Sequence, residues 1–267
     1  MYKVVQVLNM PAEQTSYTKL ANKNFNPMSD IFLLIALPYT ALIVMLVGSV
    51  YVYGTQAYKV TSLSTQFLES RDLFFGGLFM HWGIIALFFG HLIAFLFPGS
   101  VIAWNGNPVR LVILESAALI FGISFFSGVV ILVFRRLRNK RLHRATTDMD
   151  IVVFIVLLTQ AVTGIWIALT YRWGSAWFAA VLTPYIRSLF LMNPDLAAVS
   201  ALPLIIKIHI STAFLLIGLI PFSRFMHFLV FPVKYFWRPF QVVIWNRDRK
   251  LMRNSTAMTP EVKSRNN

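Results

Sequence analysis

The chain is built from long apolar runs separated by short polar connections, and the runs set its architecture. A helix needs about 20 apolar residues to cross the roughly 30 Å hydrocarbon layer of a bilayer. Five stretches reach that length: Ile31–Tyr53, Leu73–Phe97, Leu111–Phe134, Ile151–Tyr171 and Leu204–Phe231. Pro38 interrupts the first without ending it, because a membrane helix can re-satisfy the freed backbone group. Pro98-Gly99 stops the second. Trp82, Trp104, Trp166, Trp173 and Trp177, with Tyr51, Tyr53 and Tyr171, mostly cluster toward run ends, where amphipathic rings prefer the interface. Between the fourth and fifth runs, Trp177–Leu182 and Ile186–Met192 read together as one amphipathic helix on the outer surface. The pattern predicts an all-α integral membrane protein, a five-transmembrane-helix bundle over residues 30–233. A polar extracytoplasmic tail with a short interfacial helix precedes it at 1–29, and a basic cytoplasmic tail follows at 234–267.

Composition supports this class and narrows the chemistry. Of the 267 residues, 57% are hydrophobic and only 13% charged, where soluble domains carry about 25%. The net charge of +14 does not point to nucleic acid, because Lys and Arg gather beside the apolar runs. Six lie in 135–150 and eight after the last run, with two more in 54–72 on the same side; the alternate segments hold three, one and two. The positive-inside rule makes the rich side cytoplasmic, so the amino terminus is expected outside and the carboxyl terminus inside. Met1–Ser29 is not read as a secretory signal, since the apolar run after it is too long and no basic residue stands just before that run. With no cysteine, disulfides, thiolate-bound iron–sulfur clusters and thioether-linked haem are excluded.

Four of the five histidines lie inside the runs: His81 and His91 in the second, His209 and His227 in the fifth. An ionisable residue at membrane depth is costly and marks function by default. Under the predicted orientation, His81 matches His227 in depth near the cytoplasm, and His91 matches His209 toward the outside. Two imidazoles from each of two helices suit two irons, each held from both sides. Such bis-histidine haem has no open coordination position and passes electrons rather than binding substrate. Spacings of 10 and 18 residues rise about 15 and 27 Å on a straight helix. Tilt, inclination of the macrocycles or a helix end at His227 must absorb the difference. Eighteen residues make five turns, which puts His209 and His227 on one face. Gly76, Gly77, Gly83 and Gly90 flank the second-run pair and would let a flat macrocycle approach the backbone. The plainer alternative is four structural histidines bonding between helices. His143, beside Arg144 in the basic loop, reads as a solvated surface residue.

The histidine spacing and several stretches resemble the gamma subunit of membrane-bound respiratory nitrate reductases, a dihaem cytochrome b that oxidises quinol. The stretches are Leu78 through His81, Gly90-His91, Arg144-Ala145-Thr146-Thr147, Lys207-Ile208-His209, Pro221 through His227, Phe231 through Tyr235 and Arg238 through Val243. The resemblance implies a distal haem b on His91 and His209 and a proximal haem b on His81 and His227. It implies a quinone site at Gly90 and His91, with Tyr53 near it. The family has a lysine early in the third span where this chain has Leu111, with Arg110 beside it. Arg110 is thus the candidate for the polar contact to the quinone. Arg110, Lys207 and Arg224 are candidate partners for haem propionates, because a carboxylate at membrane depth needs a cation; snorkelling to the interface is the alternative for the last two. Glu115 either takes quinol protons or pairs with Arg110.

The expected function is that of a multi-pass subunit in a prokaryotic inner membrane. It takes electrons from quinol and passes them to an iron–sulfur subunit and, beyond it, a molybdenum catalytic subunit on the cytoplasmic side. The basic loop and tail could dock that partner or touch anionic lipid. A homologous dihaem subunit of a nitrite-oxidising, heterodisulfide- or sulfite-reducing complex is the nearest alternative. A haem-free anchor or transporter is another, although Glu115 is almost the only acid inside the runs.

Overall fold

The computed structural model describes residues 27–56, 71–171, 173–197 and 199–229. The expected tails at 1–26 and 230–267 lie outside the described residues, as do most of the first connection and the last of the stretches that carry the resemblance. In chain order the helices are α1 (Met28–Thr55), α2 (Arg71–Leu96), α3 (Pro98–Asn105), α4 (Pro108–Arg138), α5 (Lys140–Arg144), α6 (Asp148–Thr170), α7 (Gly174–Trp177), α8 (Thr183–Phe190), α9 (Leu204–Leu219) and α10 (Met226–Leu229). Among the described residues there is no strand. Five helical segments are long and apolar enough to cross a membrane, the fifth being Leu204–Phe222. Large apolar side chains such as Ile43, Val47, Val50, Ile120 and Ile155 stand exposed on them. In water that pattern would be a liability, and in lipid it is the solvated surface.

Local chemistry sets the boundaries. Asn107 caps α4 by accepting the amide of Val109 at 2.9 Å, and Pro108 fills the first turn, where its missing N–H has no cost. Thr147 and Asp150 close a reciprocal capping box at the start of α6. In α1, Pro38 cannot donate to the carbonyl of Leu34 four residues back. The Tyr185 hydroxyl donates to that oxygen instead, at 2.7 Å. Burial, and then neighbouring Tyr39, push the Tyr185 phenol up from its ordinary pKa, so it stays a neutral donor. A π-helical turn at Phe32–Ala36 stands just before Pro38, and the Leu33 carbonyl within it accepts the Ser211 hydroxyl.

Two buried clusters hold the bundle. One joins α1, α6, α9 and the α7–α8 segment through Leu34, Ile167, Tyr185, Leu189, Ile206 and Phe214. The other joins α4 to α6 through Phe125, Val129, Val153, Leu157 and Ala161, with Met80 and Ile84 of α2 against it. α2 packs closely on α4. A Cβ on Gly83 would meet the backbone of Phe125 at 2.5 Å, and one on Gly76 the Leu132 side chain at 2.8 Å. Gly128 of α4 faces the Met80 backbone in the same way. Two of the glycines expected to make room for a macrocycle therefore serve helix packing, because small residues allow apolar helices to approach in lipid. Gly77 and Gly90 do face open space.

α1 lies parallel along the fifth span. Asp30 meets Lys207, Ala41 meets Gly218, and Gly48 meets Pro221. The fifth span itself is not one straight helix. It ends at Leu219, tightens into a 3-10 turn at Ile220–Phe222, turns extended at Ser223 and resumes as α10. Pro221 is the physical reason, since it neither donates to the helix ladder nor fits inside it. The five-turn, single-face relation expected for His209 and His227 is thereby corrected. The break falls between His209 and His227.

Candidate functional site

His81 and His227 line one cavity of about 740 Å³ between α2, α4, α6 and the turn into α10. Ligand pockets run from about 300 to 1,000 Å³. Its walls are largely apolar, with Leu73, Phe74, Trp82, Leu132, Val153 and Leu157 among them. Three arginines, Arg135, Arg136 and Arg224, and one carboxylate, Asp150, complete it. Arg224 donates from Nε to Asp150 Oδ1 at 2.8 Å and from a terminal nitrogen to Oδ2 at 3.0 Å, the planar two-pronged geometry that a guanidinium favours. Arg136 donates to the same Oδ2 at 3.2 Å and to Thr146 Oγ1 at 3.0 Å, and stacks over Phe154. The Arg144-Ala145-Thr146-Thr147 stretch thus feeds a hub at Asp150.

His91 stands ten residues along α2, about 15 Å away, with its ring edgewise against Phe178. The structure brings His81 and His227 to one cavity. Three of the four rings share one arrangement. His81 Nδ1 bonds the Gly77 carbonyl and His91 Nδ1 the Leu87 carbonyl, both at 2.7 Å, and His227 Nδ1 bonds the Arg224 carbonyl. A carbonyl can only accept, so each Nδ1 carries the proton and each Nε2 keeps a lone pair for a metal. His209 Nδ1 meets Thr163 Oγ1 at 2.9 Å, while that hydroxyl donates to the Thr159 carbonyl at 2.7 Å. His209 Nε2 lies 3.1 Å from the Gln160 amide nitrogen, and Gln160 Oε1 accepts from Thr212. Among the described residues no three His, Cys, Asp or Glu side chains gather to hold a bare metal ion.

The remaining candidates fall out differently. Lys207 and Asp30 are each 2% exposed and bond through both carboxylate oxygens at 2.8 Å. Lys207 therefore does not snorkel, and its charge is met by a carboxylate of this chain rather than held open for a propionate. Arg224 is likewise bound to Asp150, yet remains on the cavity wall. Glu115 does not pair with Arg110. It accepts the backbone amides of Trp173 and Ser175 at 3.3 and 3.4 Å, while Arg110 stacks over the Trp104 ring at 5.0 Å. Tyr53 is exposed at the end of α1, beyond Gly48 and Pro221. It lies at the His227 end, so the structure does not bring it to Gly90 and His91. Sequence reasoning missed Asp30, Arg136, Asp150, Gln160 and Thr163. The Thr147-x-x-Asp150 capping signature and the polar Gln160 and Thr163 within an apolar helix were the available signals.

The fold and this placement define a polytopic helical membrane protein with two histidines on its second span, one on its fifth and one just beyond it. The family model described as nitrate reductase gamma subunit matches residues 30–246. The nitrate reductase gamma chain of Bacillus subtilis is 30% identical over 77% of this chain and 94% of its own length. The respiratory nitrate reductase 2 gamma chain of Escherichia coli is 28% identical over 80% and 96%. The nitrate reductase-like protein NarX of Mycobacterium tuberculosis is 28% identical over 80% of this chain and 33% of itself. The chain belongs to the nitrate reductase gamma subunit family.

Proposed function

We propose that this chain is the membrane subunit of a quinol:nitrate oxidoreductase, binding two b-type haems through His81 with His227 and His91 with His209. The cavity shared by His81 and His227 carries the reading. Its residues fit the group in three respects. Both rings hold their Nδ1 proton on a backbone carbonyl and leave Nε2 for iron. The walls are apolar, as a porphyrin face requires. Three arginines against one carboxylate leave excess positive charge, which suits two propionates. Arg136 and Arg224 are the propionate candidates at this site, and Arg110 at the other.

Haem held by these histidines would supply one-electron transfer. The chain's part is to fix ring orientation and separation and to keep the cofactors dry. In this reading the amino terminus lies outside. Quinol binds at the His91 end, where Gly90 leaves open space and Arg110 offers a cation. Its protons leave on the outer side. Electrons depart at the cytoplasmic face toward an iron–sulfur subunit and a molybdenum catalytic subunit. A pyridine haemochrome assay on the isolated chain should give two haems b per polypeptide. His91→Ala and His227→Ala should each remove one low-spin signal and leave the other. Zero haem in the wild type, or two in both variants, would refute the proposal. Co-purification of a molybdenum subunit tests the assignment to nitrate rather than to another dihaem complex.

A further inference from the structure

The segment joining α6 to α9 has no part in the scheme above, yet it reaches the His91 end directly. α7, the π-helical turn Phe178–Leu182 and α8 run on as one helix, with right-handed backbone at Phe178 and Thr183. It clasps the end of α2. The Thr183 hydroxyl donates to the Ala94 carbonyl at 3.3 Å, and Arg187 donates to the carbonyls of Phe95 and Leu96 at 3.0 and 3.3 Å. These satisfy oxygens that the end of a helix leaves without partners. Its other end is pinned from α4, where Glu115 accepts the amides of Trp173 and Ser175 and the Ser175 hydroxyl. Trp173 has φ 67, a left-handed backbone uncommon for a residue with a side chain, and its amide is one of those that Glu115 holds. Ser175 also accepts from Asn105 of α3 at 3.0 Å. One turn beyond Ser175, Phe178 turns its ring edgewise to His91, centroids 5.1 Å apart and planes at 85°.

We infer that this helix is the outer wall of the quinol site, with Phe178 as a positioning residue that sets the His91 ring and closes the apolar surface against which a quinol ring packs. Glu115 holds that wall in register. The inference rests on the proposed oxidation of quinol at the His91 end. Gly90 leaves the space beside His91 open, so Phe178 bounds a site that α2 itself does not fill.

The test uses membranes containing the full-length protein, with reduced menadione as the quinol and stopped-flow reduction of the haem b absorbance as the readout. F178A should raise the quinol concentration for half-maximal rate about 3- to 10-fold, the range that an edge-to-face contact controls. The saturating rate and the count of two haems per chain should hold, while the low-spin signal of the His91 haem shifts. E115L should behave like F178A. E115Q, whose single amide oxygen can accept only one of the two backbone amides, should fall between E115L and the wild type in half-saturation. An unchanged half-saturation in F178A overturns the inference, as does a fall in saturating rate alone. If F178A loses haem, F178L is read in its place, and an unchanged value there overturns it equally. A wild type without haem b or quinol-driven reduction would instead sink the functional reading itself.

Discussion

Lys207 and Asp30 form an ion pair with almost no exposed surface, inside a helix bundle of the kind that has lipid around it. Removing one partner of such a pair leaves a buried charge uncompensated, at a cost of about 3–5 kcal/mol. Asp30→Asn should therefore lower the thermal stability of the detergent-solubilised protein sharply. Asp30→Asn combined with Lys207→Met should recover most of it, and thermal melts of the three proteins decide the matter. Thr163 acts on a finer scale. It accepts the Nδ1 proton of His209 through a hydroxyl rather than a helix carbonyl, so its removal leaves that ring without its orienting partner. Thr163→Val should weaken retention of the His91–His209 haem about 10- to 100-fold, while the other haem stays, as measured by haem titration of washed membranes. Neither partner was legible in the sequence. Asp30 stands 177 residues from Lys207, and no local pattern links such positions. The histidines were legible because their surroundings in the sequence are uniformly apolar, so that each stands out alone.

The helices themselves were the most readable level. Length and hydropathy gave five spans, and the observed ends fall within a few residues of the expected ones for the first four. The fifth differs, and the reason is instructive. Membrane helices tolerate proline where neighbours re-satisfy the backbone, and this chain holds both outcomes. Pro38 stays within α1 because the Tyr185 hydroxyl takes the orphaned Leu34 carbonyl, whereas Pro221 coincides with the end of a helix. Sequence alone does not distinguish them, since the rescuing tyrosine lies 151 residues away. Tyr185→Phe should leave that carbonyl unpaired and destabilise the protein by about 1–3 kcal/mol, readable as a lower melting temperature with haem content intact at low temperature. The glycines of α2 divide in the same way. Gly83→Ala forces a Cβ into the α4 backbone and should cost about 1–3 kcal/mol as an overpacked contact. Gly90→Ala meets no neighbouring atom, so it should leave stability alone and act only on quinol oxidation. Comparing folded yield with quinol-driven haem reduction for the two variants separates the roles.

For the molecule as a whole, orientation is the property that charge counting predicts and that a bundle without lipid leaves to experiment. The absence of native cysteine makes the test direct. A single cysteine replacing Ser100 in α3 should react with a membrane-impermeant maleimide applied from outside, and one replacing Lys140 in α5 should react only after permeabilisation. The reverse pattern would invert the proposed path of electrons and protons. What the chain could not reveal in advance was its polar wiring, in which Arg136 from α4 and Arg224 from the turn before α10 converge on a carboxylate that also caps α6. That convergence depends on tertiary placement, and only the capping half of it has a local signature.

α1 carries no histidine, but it touches the fifth span at three heights. Asp30 grips Lys207 two residues from His209, Ala41 rests on Gly218, and Gly48 seats Pro221 six residues before His227. It works as a splint along a broken bone, fixing the interval across a span that its own backbone does not hold straight. Tunnelling rates fall steeply with distance, so with haem bound as proposed, a helix without a histidine of its own would set the tempo of exchange.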